Sequence, residues 1–113
     1  MNEVVRLLPE ASSEARHEAL ALAVQAGEAD VLCVLLDAGE DPGRYNPDGC
    51  HSHATPLHQA VAAGRPAIVR LLVDRGAPLD VRDRHHAATP LEWAEYLGQR
   101  EAEAILRDAR GRT

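Results

Sequence analysis

The apolar residues of the chain fall in short bands that recur in pairs. Residues 19–27 (A-L-A-L-A-V-Q-A-G) and 31–39 (V-L-C-V-L-L-D-A-G) make one pair, 56–64 and 68–76 a second, and 90–98 and 102–106 a third. The spacing inside the bands is that of a helix. Leu57 and Ala60, like Leu91 and Ala94, stand three residues apart on one helical face. Val69, Leu72 and Val73, with Ile68 and Leu71, cover a stripe broad enough to be buried on most sides. The pattern predicts paired helices that cannot each bury their own apolar face, so stacking must create the core.

The pairs repeat. The string at 55–64 returns at 89–98 with an offset of 34 residues (Thr55 to Thr89), and Gly27 and Gly39 match Gly64 and Gly76 with an offset of 37. The three extra residues lie within 40–54, which marks a loop insertion between matching units. Thr55 and Thr89 are N-caps, Pro56 and Pro90 suit the first helical position, and Gly64 and Gly98 end the first helices. Pro66 starts a second helix and Gly76 ends it, with residues 79–83 as an extended connection. Ser12, Ser13 and Glu14 read as a capped, acidic helix start ahead of residues 15–26, and Pro9 closes a shorter helix before it.

The T-P-L-H-Q-A string at 55–60, the tail I-V-R-L-L-V-D-R-G-A-P-L-D at 68–80 and a period of about 33 residues resemble ankyrin repeats. The resemblance implies an all-α repeat solenoid of about three helix-turn-helix units joined by hairpin-like fingers. It divides one domain, 1–113, into a cap helix and link (1–16), repeat 1 with a long finger (17–53), repeat 2 (54–86) and repeat 3 as C-terminal cap (87–111). V-V-R-L-L at 4–8 resembles half a repeat. In the structural role the resemblance places Thr55, Pro56, Leu57, His58, Gly64, Gly76, Thr89, Pro90, Leu91 and Gly98, with His58 hydrogen-bonding within and between repeats. Repeat 3 departs from the pattern, with Glu92 in place of the histidine, and reads as a polar-faced cap.

The same resemblance implies a non-enzymatic protein-interaction module that binds through a concave face of finger tips and first helices. Carried over by position, the contacts are His51, Ser52, Ala54, Ala62, Ala63 and Arg75, then His85, His86, Ala88, Tyr96 and Leu97. Tyr96 and Arg75 are the best anchors by residue type. Trp93 reads as a terminal plug rather than as a contact. The partner is an unidentified protein, with self-association into a homodimer as the alternative.

Composition narrows the field. The 113 residues suffice for one domain. Twelve basic residues, none of them lysine, face 18 acidic ones, for a net charge of −6, and only 3% of residues are aromatic. That balance argues against nucleic acid and anionic membranes, which call for a basic stripe or stacking platform. The apolar bands are too short to span a bilayer, and the Met-Asn-Glu start lacks the features of a signal peptide. Cys33 and Cys50 make no disulfide framework, so a cytoplasmic setting is expected. An all-arginine basic set is compatible with a GC-rich bacterial genome.

Candidate chemistry is sparse. The serines Ser12, Ser13 and Ser52 lie in no hydrolase, P-loop or metalloprotease motif, and Cys50 beside His51 lacks triad geometry. No cofactor is implied, and no enzyme. Cys33 reads as a buried small hydrophobe. Glu92, Glu95, Glu101 and Glu103, among Arg100 and Arg107, read as a solvated face. The finger residues Cys50, His51, His53, His85 and His86 admit two readings: exposed or partner-contacting side chains, or zinc or nickel ligands brought together by stacking. Residues 43–53 (G-R-Y-N-P-D-G-C-H-S-H) form the longest irregular stretch, with a turn at 46–49 and Tyr45 able to fold it onto the stack.

Overall fold

Each Thr-Pro pair opens a helix. Thr89 is extended (φ −80°, ψ 164°); its Oγ1 accepts the Glu92 N–H at 3.2 Å, and Glu92 Oε1 accepts the Thr89 N–H at 2.9 Å. Thr55 is built alike, with His58 in the glutamate's place. A proline at the first helical turn forfeits no hydrogen bond there. In the computed structural model, which describes residues 13–111, the helices are α1 (Ser13–Ala26), α2 (Ala29–Asp37), α3 (Pro56–Ala62), α4 (Pro66–Asp74), α5 (Pro90–Leu97) and α6 (Arg100–Gly111). Among the described residues there is no strand. The half-repeat read at 4–8, and the cap at Ser12, lie outside the described residues.

The helices pair as α1/α2, α3/α4 and α5/α6. The first helices pack side by side in the order α1, α3, α5, and α4 packs on α6 behind them. Gly64 (φ 68°) and Gly98 (φ 69°) turn the chain between the helices of a pair, in the left-handed region that favours glycine. One continuous core runs through the stack, from Leu20, Val24 and Leu32 through Leu57, Val61, Val69 and Leu72 to Ala94 and Leu106, with Leu91 packed against it. The fold is an all-α repeat solenoid.

Two core positions differ from expectation or from economy. Cys33 is half-buried rather than buried, because α2 closes only its Val31, Leu32 and Leu35 side. His17 of α1 is 4% exposed, yet neither ring nitrogen has a hydrogen-bond partner. A buried unpaired polar group costs about 1–3 kcal/mol, so His17→Leu is expected to raise the unfolding free energy by about 1 kcal/mol. Urea denaturation checks this; an unchanged or lower midpoint refutes it.

Candidate functional site

The fingers are closed at equivalent places. Asn46 N–H donates to the Ala54 carbonyl and Asp83 N–H to the Ala88 carbonyl, both at 2.9 Å. The three-residue insertion therefore sits at the tip of the first finger, in residues 47–53 against 84–87 of the second. In the first tip the Cys50 N–H donates to the Pro47 carbonyl, with Gly49 at φ 86°.

The second finger is organised on one buried carboxylate. Asp83 is 3% exposed; its Oδ2 accepts the N–H groups of His85 (3.0 Å) and His86 (2.9 Å), and its Oδ1 those of Ala88 (2.9 Å) and the Trp93 indole (3.1 Å). Burial pushes its pKa up, but the donors from Ala88, His86, Trp93 and His85 outweigh burial and hold it well below the usual carboxylate range. In the longer first finger Ala54 N–H turns to the His51 carbonyl instead, and Asn46 Oδ1 is buried without a partner. Asn46 Nδ2 donates to Gln59 Oε1, and Gln59 Nε2 to Gln25 Oε1, each at 2.8 Å, tying this finger to α3 and α1.

The tips lie against each other. Arg84 N–H donates to the His53 carbonyl at 2.7 Å, and Tyr45 Oη donates to the Arg82 carbonyl at 2.7 Å with the Arg84 guanidinium 4.0 Å above its ring. The His53 and His85 rings stack at 4.1 Å, within 2° of parallel, and His51 and His86 flank them edge-on at 6.1 and 6.2 Å. Burial, then the neighbouring imidazoles, lowers the His53 pKa against the opposing pull of Asp83. Among the described residues no three His, Cys, Asp or Glu side chains are arranged to hold a metal ion. Burial, then the charge of Glu18, raises the Cys50 thiol, which keeps it protonated and a poor nucleophile.

Below the tips, His58 joins the repeats. Its Nδ1 meets Thr55 Oγ1 at 2.8 Å and accepts the Thr55 N–H at 3.3 Å, and its Nε2 reaches the Ala88 carbonyl at 2.8 Å. A carbonyl only accepts, so Nε2 carries the proton and the ring is neutral, in line with a pKa lowered by burial. Its edge packs on Trp93 at 4.9 Å between ring centres.

Gln25, His51, Ala54, Gln59, Ala62, Ala63 and Trp93 line a depression of about 210 Å³ on the first-helix layer, with three alanines of the middle repeat between Gln25 and Trp93. Leu22 of α1 and Tyr96 and Leu97 of α5 remain 55%, 90% and 46% exposed on that layer. A larger depression against α4 and α6, lined by Val73, Asp74, Leu79, Val81 and Ala109, gathers neither histidine nor tyrosine.

The residues carried over from the resemblance divide accordingly. His51, Ala62, His85, His86, Tyr96 and Leu97 are exposed; Ser52, Ala63 and Ala88 are half-buried. Ala54 has no exposed surface of its own: its carbonyl and N–H close the finger base, and it lies at the floor of the depression. Arg75 ends α4, in the second-helix layer, where its guanidinium pairs with Asp37. Thr55, Pro56, Leu57, His58 and Pro90 are buried, Thr89 and Leu91 half-buried, and Gly76 adopts φ 84°. Sequence reasoning passed over Asn46, Gln59 and Asp83. The one signal was that Asn46 and Asp83 share the 37-residue offset.

The sequence matches the family of ankyrin repeats, in three copies, across residues 20–111. It is 34% identical over 76 residues to an ankyrin repeat-containing protein of Schizosaccharomyces pombe, covering 67% of this chain and 34% of that one. It is 38% identical over 77 residues to the E3 ubiquitin-protein ligase XB3 of Oryza sativa subsp. japonica (68% and 16%), and 32% identical over 91 residues to the potassium channel GORK of Arabidopsis thaliana (80% and 10%). The chain thus spans about a third or less of the length of each of these relatives. Ankyrin repeats are in general non-enzymatic protein–protein interaction modules. By its repeats, by the way they stack and by this match, the chain belongs to the ankyrin-repeat family.

Proposed function

We propose that the chain binds a partner protein along the α1–α3–α5 layer and the finger tips, through a concave face centred on Ala62 and Ala63, and that it does so in the cytoplasm. The observation that carries this reading is the depression of about 210 Å³ between Gln25 and Trp93, on a layer that leaves Leu22, Tyr96 and Leu97 exposed. Exposed apolar and aromatic side chains beside a recess are what interface anchors look like. The repeat units are read as 17–53, 54–86 and 87–111.

Ala62→Arg fills the recess with a charged side chain at an exposed position. Affinity capture with the tagged chain is expected to recover a partner that Ala62→Arg and Tyr96→Ala each weaken at least tenfold, with the melting temperature within about 2 °C of the parent. Retention of the same partner by the double variant refutes the reading.

A further inference from the structure

The finger tips carry a pattern of charge that the fold does not require. His51, His53, His85 and His86 stand in a row across two tips held together by the Arg84 N–H to His53 carbonyl bond. His51, His85 and His86 are exposed. On the same tip the Arg84 guanidinium lies over Tyr45, with no carboxylate partner among the described residues. In a chain of net charge −6, this is a face where cationic and cation-forming groups collect.

Most of the acids around the row are already engaged or lie to one side, Asp48 of the first tip excepted. Asp83, beneath it, is buried and accepts four hydrogen bonds, with His86 Nδ1 3.4 Å from its Oδ2. Glu92 of α5 is held by Thr89 and Arg82, and Glu18 of α1 faces Cys50. Asp48 is on the first tip, and His58 of α3 lies below as a neutral ring. Protonating stacked imidazoles brings like charges together, and carboxylates supplied from outside relieve that repulsion.

We propose that this ridge docks an acidic, Asp/Glu-rich segment of a partner protein, and holds it more tightly as the pH falls. The proposal rests on the reading of this face as the partner-binding one and narrows the partner. The row steps 6.1, 4.1 and 6.2 Å from His51 through His53 and His85 to His86, so an extended segment, whose alternate residues lie about 6.6 Å apart, matches the two outer steps and meets the stacked pair with one carboxylate. Carboxylates beside the rings favour their charged forms, so binding takes up protons, and by linkage affinity rises in acid.

Fluorescence anisotropy of a labelled twelve-residue peptide of alternating Glu and Gly, titrated with the full chain at pH 7.5 and pH 6.0 in low salt, tests this. Affinity is expected to be about tenfold higher at pH 6.0, to vanish for the matching Gln–Gly peptide, and to lose most of its pH dependence in the double variant His85→Gln/His86→Gln. Arg84→Gln is expected to weaken binding at both pH values. No binding at pH 6.0, equal binding of the Gln peptide, a pH-independent affinity, or tighter binding of an oligothymidine of equal charge each overturns the proposal. A chain that ignores the Glu peptide but captures a partner sensitive to Ala62→Arg keeps its interaction function and loses this assignment.

Discussion

Asp83→Ala is expected to cost about 3–5 kcal/mol of unfolding free energy, a large share of the total for a chain of this size. The carboxylate accepts four donors. When it is removed, the His85 and His86 N–H groups turn to water at the exposed tip. The Ala88 N–H and the Trp93 indole cannot do so as easily, and each then sits near the core with an unmet donor. The sign with pH follows from the depressed pKa: an acid held ionised in the folded state stabilises above its unfolded value, about 3.9, and the contribution fades as the pH falls below that. The gap between parent and variant in a urea melt is therefore expected to be full at pH 7 and to narrow steadily from about pH 4 towards pH 2. Trp93 is the single tryptophan, so its emission reports the second finger directly and should shift to the red in the variant. A loss below about 1 kcal/mol at pH 7, or a gap indifferent to acid, refutes the assignment.

His58→Ala is expected to cost about 2–4 kcal/mol, from a cavity beside Trp93 and from the Thr55 and Ala88 groups left without the ring. This histidine has a folded pKa below its unfolded value, so its contribution is complete above about pH 6.5 and is lost as the pH falls from there towards the folded value. His53 shifts in the same direction. The parent is accordingly expected to lose stability between pH 6.5 and 5, with a shallower loss in His58→Ala. Equal slopes in the two proteins would count against a neutral, doubly bonded ring.

Those two residues show where sequence reading succeeds and where it stops. His58 was legible because it belongs to a fixed string: Thr, Pro and His at set spacing define a helix start, and the Thr-Pro-Leu start returns 34 residues on. The helical pairs, their ends at glycine and the single core were legible for the same reason, since period and capping are local properties. Asp83 was not legible as a hub. Its partners depend on how four tip residues fold back, including Ala87 at φ 52°, and no period announces that conformation. Ala54 is less accessible than its place in the repeat suggests, because that place says which element a residue occupies, while the closure of the finger base decides how much of it is exposed. The histidine row is intermediate, since stacking of equivalent fingers was foreseeable and the parallel ring pair was not.

The two fingers differ by three residues yet close with the same backbone bond at the same point of the repeat. Length at the tip is thereby uncoupled from the register of the helices beneath. Such an arrangement behaves as a socket for interchangeable cassettes: evolution or a designer can swap residues 47–53 for other sequences, and so alter what the protein grips, while the scaffold that presents them is inherited intact.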